Sequence, residues 1–318
     1  MDFTTTIPIS KSSNPIDYDS RIISLGSCFA QNIGDKFSYF KFQNTVNPFG
    51  IIFNPVSIEN LISRVVNNQL FTENDIFSHN ELWHCFEVHS ELSYSDKTIF
   101  LDRLNQVLSD FHLQILKSTH VQITYGTSWV YRNKSSNCIV ANCHKVPQNQ
   151  FEKEILSVAT IEKSIQNTID LIQKVNPNCH FIFTVSPVRH IKDGFVENQR
   201  SKAHLISALH NFVALSQSKC NYFPSYEIIM DELRDYRFYA EDMLHPSQTA
   251  IDYIWKRFSE NYISEENFAT MEEVCSIKKG LAHRPFNPNT ASHQKFQNVL
   301  NEKIIMLQKK FPHFKFLK

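Results

Sequence analysis

Residues 21–30 read RIISLGSCFA, and how this stretch folds decides the rest of the chain. The apolar run 21–25 has the length of a short buried strand, and residues 29–40 carry a helical pattern. A strand that passes directly into a helix needs a tight corner, and Gly26 supplies the backbone freedom for it. The chain holds only six glycines in 318 residues, where a usage of roughly 7% would give about 22. Each one therefore answers a backbone need. The residue that this corner presents is Ser27, a candidate nucleophile at the end of a first strand.

Strand-like and helix-like segments alternate outward from there. Residues 43–50 are extended and end at Gly50. Ser57 is placed to cap the next helix, whose apolar face carries Leu61, Ile62, Val65 and Val66. Residues 83–94 read as extended and irregular. Asp96 caps a predicted helix over 97–118, with Ile99, Leu101, Leu104, Leu108, Phe111 and Ile115 on its inner side. The β-rich run 120–131 contains Gly126, and residues 137–143 offer it an antiparallel neighbour. Isoleucines at 161, 165, 169 and 172 mark a helix over 157–175 that stops near Pro177. Residues 179–187 form the clearest buried strand, followed by a helix over 199–216 and a shorter strand at 226–230. Pro246 suits the first turn of a last sheet-packing helix. Residues 265–318 read as helical, with a break at 283–290.

This alternation predicts an α/β chain. Its architecture is a three-layer α/β/α sandwich with a mostly parallel, flavodoxin-like sheet, a β-hairpin insertion and a helical C-terminal tail. The boundaries fall at 1–262 for the main domain and 263–318 for a helical extension packed on it. Active sites of such sheets lie at the carboxyl ends of the strands. Gly26-Ser27, Gly50, Gly126 and Ser186 all fall there.

The charges cancel, with 32 basic and 32 acidic residues, and no basic stripe appears. Nucleic acid and an anionic membrane are therefore not expected partners. The first residues lack a signal-peptide pattern and no run of 18 apolar residues occurs, so a soluble, cytoplasmic protein is expected. Seven cysteines form no CxxC pair and read as reduced thiols. The His/Cys dipeptides at 84–85, 143–144 and 179–180 match no zinc spacing, so neither metal nor cofactor is expected. The 26 phenylalanines predict a large core, an aromatic-lined pocket, or both.

A serine nucleophile needs a base, and the base needs an orienting group. Asp242-Met243-Leu244-His245 supplies both on one turn, with the carboxylate in reach of imidazole Nδ1 and Nε2 left to face Ser27. The order Ser…Asp…His with acid and base adjacent differs from that of α/β-hydrolases, and Gly26-Ser27-Cys28 lacks the second glycine of their G-x-S-x-G elbow. Cys28 is the competing nucleophile.

GSCFA at 26–30, together with VSPV at 185–188, NCHK at 142–145 and HRPFNP at 283–288, resembles the GSCFA family, which looks like a branch of the SGNH/GDSL hydrolase superfamily. The likeness spans about residues 20–260. It implies Ser27 as nucleophile, Asp242 and His245 as its partners, and the N–H groups of Ser27 and Gly50 as oxyanion donors. The superfamily's Gly-x-Asn block is matched by Gly126-Thr127-Ser128, with serine in place of asparagine. The third donor is then Asn142, reaching across the hairpin, or Ser128. The implied activity is an ester hydrolase that removes short acyl groups from a polar alcohol such as a carbohydrate. Acyl transfer by the same triad, or a non-catalytic binding module on the same fold, are the alternatives. Trp129, His144, Lys145, Arg189 and His190 are candidate contacts for the small-molecule or carbohydrate ester.

Overall fold

Ile22, Ile23 and Leu25 are buried in the first strand, β1 (Arg21–Gly26), and the chain turns at once into α1 (Cys28–Tyr39). The computed structural model describes residues 4–215 and 219–316. Along the chain follow β2 (Gln43–Val46), α2 (Pro55–Val66), the hairpin β3 (Phe77–His79) and β4 (Leu82–His84), α3 (Lys97–Lys117) and β5 (His120–Tyr125). Next come β6 (Trp129–Asn133), β7 (Ile139–Val140), β8 (Phe151–Ile155), α4 (Val158–Val175), β9 (His180–Val185), α5 (Phe195–Leu215) and β10 (Cys220–Tyr222). A single turn, α6 (Ser225–Glu227), runs on into π-helix; α7 (Gln248–Tyr262), α8 (Phe268–Ala282) and α9 (Ala291–Lys310) complete the chain.

Five strands form one parallel sheet in the order β10-β9-β5-β1-β2. Counted in chain order within the sheet, this is the 2-1-3-4-5 order of flavodoxin-like folds, with its switch point between β1 and β5. Apolar faces of α2, α3, α4 and α5 cover one side of the sheet, packing on Ile23, Val121, Phe181 and Phe183. The other side is covered by Phe29, Ile33 and Phe37 of α1 and by Ile254, Trp255 and Phe258 of α7. Met271, Val274 and Ile277 of α8 and Leu300, Ile304 and Leu307 of α9 extend that same apolar cluster. The C-terminal extension is thus packed on the sandwich through a shared core. A small antiparallel sheet, β7-β6-β8, forms the insertion.

Several local expectations need correction. Asn54, not Ser57, caps α2: its Oδ1 accepts from Ser57 N at 2.8 Å, with Pro55 at the first helical position. The inner side of α3 carries Phe100 rather than Ile99, which is 43% exposed. Residues 226–230 are helical, and the fifth strand is β10, upstream of Pro224. Proline there removes a ladder donor and ends the strand early. Ser247 caps α7, which leaves Pro246 just outside the helix. Strand β8 was not anticipated, because FEKEI alternates too few apolar residues to stand out.

The two faces of α3 can be told apart by truncation. Phe100 is fully buried, so Phe100→Ala should destabilise the protein by about 3–5 kcal/mol. Ile99→Ala should stay within about 0.5 kcal/mol. Urea unfolding of both variants checks this.

Candidate active site

The corner after β1 is built around Gly26. Its φ is +126°, and a Cβ there would sit 2.1 Å from the Thr124 carbonyl oxygen of β5. No side chain fits that approach. The Gly26 N–H donates to Asn47 Oδ1 at 2.8 Å, while Asn47 N–H donates to Ser24 O at 2.9 Å. Asn47 therefore pins the turn after β2 to the end of β1. Ser27 follows as the N-cap of α1, 1% exposed, with its Oγ accepting from Phe29 N at 3.2 Å. Cys28, the first helical residue, is half-buried, and burial raises its thiol pKa.

Asp242 and His245 stand on a tight turn, with Met243 at φ +59° between them. Asp242 Oδ1 accepts from Leu244 N and His245 N, both at 2.9 Å, and Oδ2 lies 2.6 Å from His245 Nδ1. The His245 backbone N–H, then that of Leu244, then the imidazole hold the Asp242 carboxyl down at about 2. The carboxylate stays ionised and holds the ring through Nδ1, and Nε2 has no hydrogen-bond partner among the described residues. Leu244 O accepts from Arg189 N at 3.1 Å, so this turn is tied to the loop after β9. Asp242 acts electrostatically on Cys28, and His245 on His190. Ser27 and the Asp242–His245 pair therefore share one rim, although among the described residues no hydrogen bond joins Ser27 Oγ to His245.

The expected oxyanion donors stand differently. Ser27 N–H is committed to Thr124 O at 3.0 Å. Gly50 N–H closes a turn on Asn47 O at 2.7 Å; its φ is +75°, and a Cβ there would sit 2.3 Å from His89 Cβ. Ser128 is fully buried, and its Oγ donates to Ser201 O at 3.2 Å. In this structure each of these three groups already has a partner within the fold. Asn142 accepts from His144 N through Oδ1 at 2.8 Å, and its Nδ2 carries no protein hydrogen bond among the described residues.

A cavity of about 340 Å³ opens between the loops that follow β5 and β9 and the inserted sheet, and neither Ser27 nor His245 is among its lining residues. Phe53, Thr127, Trp129, Tyr131, Asn142 and His190 are among its lining residues. Lys153, paired with Asp193, lies over the rings of Trp129 (5.1 Å) and Tyr131 (5.5 Å). Of the predicted contacts, Trp129 and His190 line this cavity. Arg189 lies instead in an adjoining groove, against Tyr239 at 4.7 Å and Tyr236 at 5.2 Å. His144 is buried with its Nε2 on Cys85 O at 2.7 Å, and burial pulls its pKa down to about 4. It belongs to the hairpin packing, and Lys145 projects away from the cavity into solvent. Among the described residues no group of three or more His, Cys, Asp or Glu side chains is placed to hold a metal ion.

The profile of the GSCFA family matches residues 21–258, and that of the GSCFA domain protein, C-terminal domain, matches residues 274–318. The chain belongs to the GSCFA family. No curated protein matches it. The family's eponymous five residues are the corner itself: Gly26 for the close approach to β5, Ser27 for the helix cap, and Phe29 and Ala30 for the core under α1.

One residue of this rim was not anticipated from the sequence. Lys202 of α5 is 1% exposed, with Nζ 2.7 Å from both Gly126 O and Ser186 O. A signal for it exists. Asn198, Ser201, Lys202, Leu205, Ala208 and Leu209 are all buried and share one helix face, so a lysine stands inside a buried stripe. Among the described residues no helix is long and apolar enough to cross a membrane.

The corner has a direct test. Gly26→Ala forces a side chain into the Thr124 carbonyl at an unfavourable φ, and should destabilise the protein by about 3 kcal/mol or more. Chemical denaturation measures it; a loss under about 1 kcal/mol would mean that the corner relaxes.

Proposed function

We propose that this chain is a serine ester hydrolase of the SGNH/GDSL kind, acting on short acyl esters of a polar alcohol. The observation that carries the proposal is the Asp242–His245 pair, oriented by a 2.6 Å contact, on the rim that also holds Ser27. Ser27 Oγ rotates from its cap on Phe29 N toward His245 Nε2, which takes the hydroxyl proton as the oxygen attacks the acyl carbonyl. The imidazolium then protonates the leaving alcohol, and water, activated by the same base, releases the acid. Asp242 orients the ring and balances its charge. The start of α1 directs positive potential at the developing oxyanion. With the Ser27 and Gly50 N–H groups committed elsewhere, the Asn142 amide and the His190 imidazole are the side-chain donors nearest to hand at the cavity. Trp129, Tyr131 and the amide groups of Asn142 and Gln148 around the cavity suit a hydroxyl-rich alcohol such as a sugar. Acyl transfer uses the same steps with an alcohol in place of water.

A second reading, a binding module on a catalytically silent fold, is favoured by the commitment of those backbone donors. A fluorophosphonate probe separates the two. Ser27→Ala should abolish both labelling and ester hydrolysis, whereas Cys28→Ser should keep most of each. Labelling that survives Ser27→Ala but not Cys28→Ser would overturn the serine mechanism. A wild type that never labels would favour the binding module.

A further inference from the structure

The ammonium of Lys202 is an unusual object, because it is buried without a paired carboxylate among the described residues. It lies two turns into α5, fully enclosed. Removing an ammonium from water without a counter-ion is costly, so its retention calls for a role. Its only described hydrogen-bond partners are the carbonyls of Gly126 and Ser186, each at 2.7 Å. These are the residues just past β5 and β9, where the sheet ends and the rim loops begin. From Gly126 the chain continues to Thr127 and Trp129 of the cavity, and from Ser186 to Arg189 and His190.

We infer that Lys202 is a positioning residue, a buried cationic tie that clamps the ends of β5 and β9 and so holds both rim loops in register with the Ser27 corner. This inference rests on the hydrolase reading for its link to catalysis, though not for the tie itself. Three titratable groups face the ammonium: Cys28 from α1, His190 from the loop after β9, and the ring of Tyr226 at 5.6 Å from α6. None of them neutralises it. Burial, and then Lys202 itself, push the His190 imidazole down to about 3, so it stays neutral. The field of the tie therefore reaches the corner that holds the nucleophile and favours negative charge there.

The tie also makes a signature in pH. Burial lowers the Lys202 pKa to about 7, against about 10.4 in an unfolded chain. Between those values the unfolded state holds a proton that the folded state lacks, so this group makes stability rise with pH. Below about 7 the ammonium is charged in both states and its slope vanishes.

The test compares wild type with Lys202→Met, which keeps the length and removes the donor. Hydrogen exchange should quicken at residues 126–130 and 186–191 and stay unchanged in the far hairpin, β3–β4; unchanged exchange at the rim would overturn the tie. The Tm of wild type relative to the variant should rise by at least about 2 °C between pH 7 and 10, and a flat difference would count against a buried, titrating ammonium. For function, fluorophosphonate labelling at about pH 6 should be on the order of 10²-fold slower in the variant. The wild-type to variant ratio should then shrink as pH passes about 7, while a ratio independent of pH would sink the charged role. Absence of labelling in the wild type would count against Ser27 and leave the tie to the exchange and stability data. If Lys202→Met does not fold, NMR of the wild-type lysines decides: a Lys202 ammonium whose protons exchange with water as fast as those of surface lysines would refute the proposal.

Discussion

The close approach of Gly26 to the Thr124 carbonyl is the contact on which the active rim depends. A parallel sheet holds its strands at a fixed spacing, and β1 must leave it between β5 and β2 without breaking either ladder. With no Cβ at position 26, the backbone can turn against β5 and place Ser27 N–H on Thr124 O at 3.0 Å. The corner then fixes three things together: the start of α1, the position of Ser27 Oγ, and the turn after β2 through Asn47. A side chain at Gly26 would disturb all three.

The same economy of backbone partners shapes the rest of the rim. Where parallel strands end, their last carbonyls and N–H groups lose ladder partners and must find others or face water. Here the protein supplies them internally. Asn47 takes the Gly26 N–H, Ser201 takes the Ser128 N–H, and Lys202 takes the Gly126 and Ser186 carbonyls. Each of these side chains comes from a different segment from the group it satisfies, so the rim is cross-linked by polar contacts rather than by apolar packing. Such networks specify geometry well when every member is paired.

Much of this was legible in the sequence, for identifiable reasons. The alternation of strands and helices announced the sandwich, and scarce glycine pointed to the corner at 26. Asp242 and His245 were legible because their contact is local, three residues along one turn. What depends on distant partners was not. Nothing near Ser128 in the sequence shows Ser201, 73 residues away. His144 looked like a polar rim residue, yet the fold turns it inward onto Cys85. Residues 226–230 carry β-branched apolar side chains, and the π-helical turn there overrides that local preference. Lys202 was hidden by its residue type, since lysine on a helix is ordinarily a solvent residue.

These commitments change how the site would handle charge. An oxyanion hole of the usual kind presents several fixed N–H groups, and here the Ser27 and Gly50 N–H groups are already used within the fold. What is left is longer in range: the dipole at the start of α1, and a buried ammonium with no carboxylate paired to it among the described residues. Both act through a water-poor interior, where a charge retains more of its strength than at the surface. The Asp242 carboxylate is half exposed and held ionised by its own turn. Positive potential beneath the nucleophile and a negative, hydrated partner behind the base would pull a proton from Ser27 toward His245. Under the proposed reading, such a division of labour would place the orienting group where water screens it and the stabilising charge where water does not reach. Donors on the cavity side, Asn142 and His190, would then have to select and orient the acyl group rather than carry the whole stabilisation.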